Sequence, residues 1–330
     1  MRERVVTVFL LLPFAILLVA DAGCRRSETS RNRTSTGGTS GAGSIYDAPR
    51  EIQSGGRTRT YRVHVPSSYN GASQMALVLA YHGHGGDGAS MEKLSHLSEI
   101  ADRDGFIIVY PDGVNHGWND GRQPAGQSFD VDDVGFTRDL AKTLESQYAI
   151  DPGRIFATGM SNGGFMCFRL ACDAPDVIAA IAPVGALMGA DLAKGNTSTT
   201  PVSVLVILGT DDPFVPWSGG AVAGGLAGRG NALSTADTIA FWVRLDGCSP
   251  KPESAALQDG DPTDGTKVRS DTYNGGRNGT EVELITVDGG GHTWPNGWQY
   301  MRKRIIGNTS MDIDASDVIW QFFTSHPKQR

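Results

Sequence analysis

The run Ile155-Phe156-Ala157-Thr158-Gly159-Met160-Ser161-Asn162-Gly163-Gly164-Phe165 passes from β-rich residues through G-x-S-x-G into a helical pattern. A serine on such a strand-to-helix turn sits on strained backbone, with its hydroxyl presented above a sheet, and the glycines leave room for the neighbouring strand and helix. A Gly-rich chain produces bare G-x-S-x-G matches by chance; the strand before it and the helix after it make this one specific. Ser161 is the candidate nucleophile. A serine needs a base, and the base needs an orienting carboxylate; after an elbow of this kind they follow in the order acid, then His. Val202–Leu208 runs into Gly209-Thr210-Asp211-Asp212-Pro213, which puts two carboxylates at the carboxyl end of a strand. Either could be the acid, the other serving the turn. Glu281–Val287 runs into Asp288-Gly289-Gly290-Gly291-His292-Thr293-Trp294-Pro295. The other downstream histidine, His326, lies four residues from the C-terminus on a polar tail, so His292 is the candidate base.

Acyl chemistry also needs two donors for a tetrahedral oxyanion. One is expected from the backbone N–H of Asn162. The second is expected from the loop after Ala76–Tyr81, His82-Gly83-His84-Gly85-Gly86-Asp87-Gly88, where His84 N–H is the first choice and Gly85 the second. His82 and His84 stand at i, i+2 with no third ligand near in sequence, so no metal and no cofactor is expected.

The elements that must position these residues alternate. Candidate strands Tyr61–Val65, Ala76–Tyr81, Phe106–Tyr110, Ile155–Met160, Ile178–Val184, Val202–Leu208 and Val282–Val287 are separated by helical patterns, the signature of an α/β fold with a mostly parallel sheet and helices on both faces. Phe136, Leu140, Leu144 and Tyr148 share one helical face; further helices are expected over Asn162–Ala171, Thr235–Leu245 and Asp314–Phe323. Asp151-Pro152-Gly153 reads as a break before the next strand, and Lys267–Tyr273 with Glu281–Val287 as an edge hairpin. Ser218–Asn231 and Glu253–Thr266 read as mobile surface loops, with a border to a substrate cleft as the alternative for the first, which follows the Asp212 segment.

Of 330 residues 29 are basic and 36 acidic, but residues 1–44 hold six Arg and three acidic residues, so residues 45–330 carry a net charge of -10. That balance disfavours nucleic acid and anionic surfaces and makes neutral substrates the default. Residues 1–22 have the layout of a secretory signal, with Ala20-Asp21-Ala22 as a cleavage site, while Ala22-Gly23-Cys24 resembles the end of a lipoprotein signal with Cys24 acylated. The apolar run is about 16 residues, short of the roughly 20 that span a bilayer. Residues 23–44 read as a Ser/Thr/Gly-rich tether, and residues 45–330 as a single domain, secreted to the extracellular or periplasmic side and tethered to a membrane if Cys24 is lipidated. Export favours disulfides. Cys167 and Cys172 face different ways on one helix, so a Cys172–Cys248 bond is expected, with Cys167 free; three reduced cysteines are the alternative.

Six motifs in order, Tyr81-His82-Gly83-His84-Gly85-Gly86, Trp118-Asn119-Asp120-Gly121, Asp132-Asp133-Val134-Gly135-Phe136, Gly159-Met160-Ser161-Asn162-Gly163-Gly164, Gly209-Thr210-Asp211-Asp212-Pro213 and Gly290-Gly291-His292-Thr293-Trp294-Pro295, resemble the secreted esterases that include polyhydroxybutyrate depolymerases, feruloyl esterases and LpqC-type lipoproteins. The resemblance covers roughly residues 48–324. It implies an α/β-hydrolase fold and, since the family's acid precedes the Pro of its G-T-x-D-P segment, Asp212 rather than Asp211. It departs at His84, where the family usually has a small residue. It also implies Trp118 and Trp294 as pocket walls, with plain packing of both as the alternative, and Asp132 and Asp133 capping the Phe136 helix or tying down the Trp118 loop. The implied reaction is hydrolysis of hydroxycinnamoyl or short acyl esters of plant polysaccharide, with polyhydroxyalkanoate hydrolysis, acyl transfer and a non-catalytic surface lipoprotein as alternatives.

Overall fold

The structure is a computed structural model that describes residues 49–122, 130–223 and 228–329. The signal and tether expected over residues 1–44, with Cys24, lie outside the described residues.

In chain order the elements are β1 (Arg50–Ser54), β2 (Arg57–His64), β3 (Met75–Tyr81), α1 (Gly88–Ser95), α2 (Leu97–Asp104), β4 (Ile107–Pro111), α3 (Asp133–Gln147), β5 (Ile150–Met160), α4 (Asn162–Asp173), β6 (Ala180–Val184), α5 (Ala190–Gly195), β7 (Ser203–Gly209), β8 (Gly220–Ala221), β9 (Asn231–Ala232), α6 (Thr235–Asp246), β10 (Glu253–Ala256), β11 (Lys267–Tyr273), β12 (Val282–Asp288), α7 (Lys303–Ile306) and α8 (Ala315–Ser325). The main sheet runs β1-β2-β4-β3-β5-β6-β7-β12-β11-β10. Its centre, from β4 to β12, is parallel, and both edges are antiparallel. Parallel strands covered on both faces must be apolar throughout, which is why β3, β4, β6 and β7 are almost wholly buried. Leu77, Leu79 and Tyr81 pack on one face with Phe136, Leu140 and Leu144 of α3, with α4, and with Trp242 of α6. Val78 and Ala80 pack on the other with Met91 and Leu94 of α1, with α2, and with Trp320 and Phe323 of α8.

The structure refines two expectations. Asp151-Pro152-Gly153 does not precede its strand but lies inside β5, beside the register shift between the Met75 and Leu77 pairings with β3. A proline without an N–H is tolerated at such an irregularity. Glu253–Ala256, expected as loop, is the edge strand β10; all four residues are exposed, so no burial alternation marks it in the sequence.

The expected Cys172–Cys248 disulfide is corrected: Cys167, Cys172 and Cys248 are all free and buried. Gly247, in the left-handed region at the end of α6, turns Cys248 so that its Sγ lies 3.8 Å from the Thr280 carbonyl, while Cys172 stays in the last turn of α4. Burial pushes the Cys172 thiol up to about 12 and the Cys248 thiol up to about 11, which keeps both protonated and unreactive.

Candidate active site

Ser161 occupies the junction of β5 and α4 at φ 55°, ψ -117°. A non-glycine residue there stores on the order of 1–3 kcal/mol of strain. Its N–H donates to the Val184 carbonyl at 2.9 Å, fixing the turn against β6. Gly163 is required by close approach, since a Cβ there would run into the Tyr81 carbonyl of β3.

The acid loop follows β7 and the base loop follows β12, its parallel neighbour. Asp211 N–H donates to the Gly290 carbonyl at 2.9 Å, and a Cβ at Gly209 would strike that same carbonyl, so the loops touch backbone to backbone. Two carboxylates leave this turn in different directions. Asp211 is exposed. Asp212 is buried: its Oδ1 accepts from Phe214 N–H and Val215 N–H at 2.8 Å each, and its Oδ2 lies 2.6 Å from His292 Nδ1. His292 is held also through its backbone, its N–H donating to the Ile306 carbonyl at 2.6 Å and its carbonyl accepting from Tyr300 Oη at 2.7 Å. Phe214 stands edge-on to the imidazole, with centroids 5.2 Å apart. Nδ1 is thereby committed to Asp212, and Nε2 is the nitrogen left to take a proton. Ser161 and His292 line the same cavity of about 570 Å³.

Asn162 opens α4, so its N–H has no intrahelical carbonyl to meet. In the facing turn, Gly85 N–H donates to the His116 carbonyl at 2.7 Å and Gly86 N–H to Gly83 at 3.1 Å. Gly85 N–H is thereby taken, which leaves His84 N–H of the two expected donors. His82 is spent structurally: Nδ1 donates to the Gly83 carbonyl at 2.7 Å and Nε2 accepts from Gly113 N–H at 2.9 Å, while burial lowers its basicity.

Neither Trp118 nor Trp294 walls the cavity beside Ser161. Trp294 is 1% exposed within the core and donates from its indole to Ser316 Oγ at the start of α8, at 3.1 Å. Trp118 donates its indole N–H to the His82 carbonyl at 2.9 Å, lies edge-on to Tyr81, and lines a smaller adjacent cavity of about 270 Å³. The Asn162 side chain grips the Trp118 backbone on both sides, accepting from its N–H at 2.8 Å and donating to its carbonyl at 3.1 Å. Asp132 caps α3, while Asp133 pairs with Arg59 and accepts from Asn119 N–H, so the two divide the capping and tying roles. The residues that do line the cavity beside Ser161 include the apolar Met91, Leu94, Phe214, Trp298, Tyr300 and Met301 together with His84, Arg122 and Arg229. Sequence reasoning missed nearly all of this lining. Trp298, six residues after His292, and Arg122, beside the Trp118 motif, were the available signals.

Residues 60–212 match the family described as "Esterase PHB depolymerase". NocK of Nocardia uniformis subsp. tsuyamanensis, named as an esterase, is 34% identical over 281 residues, covering 83% of this chain and 81% of its own. The chain belongs to this esterase family. It is a carboxylic ester hydrolase of the PHB depolymerase and feruloyl esterase group. Feruloyl esterase D of Neurospora crassa is 29% identical to it over 88% of this chain and 90% of its own. The acetyl xylan esterase of Aspergillus awamori shares the esterase's fold, with a TM-score of 0.55 at 16% identity, over 84% of this chain and 99% of that one.

Proposed function

We propose that the esterase hydrolyses hydroxycinnamoyl or short acyl esters of polysaccharide, outside the cytoplasm, by a Ser161–His292–Asp212 acyl-enzyme mechanism. The observation that carries the mechanism is a strained Ser161 and an Asp212-held His292 facing one cavity. His292 Nε2 takes the Ser161 proton as Oγ attacks the ester carbonyl. Asp212 stabilises the imidazolium, and the oxyanion is met by the N–H groups of Asn162 and His84. The imidazolium returns its proton to the leaving alcohol, and water, activated the same way, hydrolyses the acyl-enzyme. The apolar and aromatic lining that Met91, Leu94, Trp298, Tyr300 and Met301 contribute suits a phenylpropenoyl group. A second reading, hydrolysis of polyhydroxyalkanoate oligomers, is favoured by the family matched over residues 60–212.

The test is turnover of methyl ferulate, short p-nitrophenyl esters and 3-hydroxybutyrate oligomers by the wild type and Ser161→Ala. A preference for methyl ferulate and a loss of about 10⁴-fold or more in the variant are expected. Retained activity in Ser161→Ala removes the mechanism, and a strong preference for the hydroxybutyrate oligomers selects the second reading.

A further inference from the structure

Arg122 and Arg229, which line the cavity, have no role in the chemistry above. Arg122 is 8% exposed, with its guanidinium carbon 3.6 Å from the Phe165 ring centroid. Its Nε donates to both Asp120 oxygens at 3.1 and 3.0 Å and its Nη2 donates to Oδ2, but its buried Nη1 has no hydrogen-bond partner among the described residues. A buried donor left unpaired is destabilising, and here it belongs to a charged group. Asp120 is also shared, since its Oδ2 accepts from Asn162 Nδ2 at 2.6 Å. Arg229 lines the same cavity and has no ion pair among the described residues. Burial first, then the like charge of Arg122, make Arg229 harder to keep protonated, against a smaller opposing attraction from Asp120. Among the described residues no acidic one lines the cavity that holds Ser161, and Asp120 lines the adjacent smaller cavity. An anion between the two guanidinium groups would offset both their desolvation and their repulsion. The local balance is thus opposite to the net -10 of residues 45–330, from which neutral substrates were expected.

We infer that Arg122 and Arg229 form a carboxylate-recognition subsite beside Ser161, so that a ligand carrying a free carboxylate close to its ester bond binds more tightly than the same ligand with that carboxylate esterified. The inference rests on the ester-hydrolase reading of Ser161. A carboxylate in that position has two sources: the free acid end of a hydroxyacid oligomer, or a uronate in a polysaccharide.

Binding to Ser161→Ala, measured by calorimetry, separates recognition from turnover. Two ligand pairs are compared, a 3-hydroxybutyrate dimer and its methyl ester, and an acetylated glucuronate and its methyl ester. The free acid of at least one pair is expected to bind about tenfold more tightly or better, as charge-assisted hydrogen bonds do, and the pair that shows it names the source. Adding Arg229→Gln, on a half-buried loop away from the core, should bring that ratio towards unity. Arg122→Lys, which keeps the charge but loses the planar fork, should reduce it in part. Equal affinity of acids and esters, no binding in either pair, or a preference that survives Arg229→Gln overturns the inference. The esterase reading fails separately, through retained turnover in Ser161→Ala.

Discussion

The floor of the cavity and its walls are built by different means. On the floor, Ser161, Asp212 and His292 sit on turns locked by backbone: Gly163 against the Tyr81 carbonyl, Gly209 against the Gly290 carbonyl, and His292 N–H on Ile306. The walls are side chains gathered from distant segments, Met91 and Leu94 from α1, Trp298 and Met301 from the segment before α7, and Val222 and Arg229 from the segment after β7. Backbone contacts leave no freedom for a larger residue, whereas a side-chain wall can change its chemistry without moving the floor. The difference teaches that the reaction is tied to the fold and the choice of ester is not.

The sharpest challenge to this contrast is a floor substitution that keeps shape and removes charge. Asp212→Asn should lower kcat by about 10³–10⁴-fold, because it loses the group that orients and stabilises the imidazolium, while Asp211→Asn, on the same turn but exposed, should stay within about twofold; equal losses in the two would refute the assignment. Gly163→Ala should cost about 3 kcal/mol or more of stability in denaturant unfolding, since the clash is with backbone that cannot give way. An unchanged unfolding midpoint would mean the floor is looser than its contacts suggest. On the wall, Trp298→Ala should lower kcat/KM for methyl ferulate by about tenfold relative to p-nitrophenyl acetate, through lost aromatic contact. Trp294→Phe, in the core, should lower stability by about 1 kcal/mol with that ratio unchanged. The smallest effect is expected from Tyr300→Phe, which removes the 2.7 Å hydrogen bond to the His292 carbonyl and, at about 1 kcal/mol, should slow p-nitrophenyl acetate turnover a few-fold.

The floor was legible in the sequence because its constraints are local. Gly159-Met160-Ser161-Asn162-Gly163 carries the turn, the need for glycine and the hydroxyl within five residues. The seven strands and four helices named from periodicity all recur, with edges moved by a few residues where Pro152 enters β5 or where Ile178 and Ala179 precede β6. Helices α1 and α2 went unread; they are eight residues each, joined at His96 in the left-handed region, too short for a clear period. The tryptophans next to motif residues suggested a pocket, yet the indole N–H of Trp294 needed Ser316 and that of Trp118 needed the His82 carbonyl, partners 22 and 36 positions away.

The sequence by itself therefore determined the reacting groups and their order, since a strained serine turn, a strand-end carboxylate and a glycine-flanked histidine declare themselves through short-range sterics and chemistry. Only the tertiary structure decided what surrounds them: that Asp212 turns inward to His292 while Asp211 faces water, that Gly85 N–H is already taken by His116, that Cys172 and Cys248 stay apart, and that two arginines 107 positions apart line one cavity. The physical reason is the range of the forces. Backbone sterics act between neighbours in sequence, while burial and charge pairing act between neighbours in space, which only the folded chain defines.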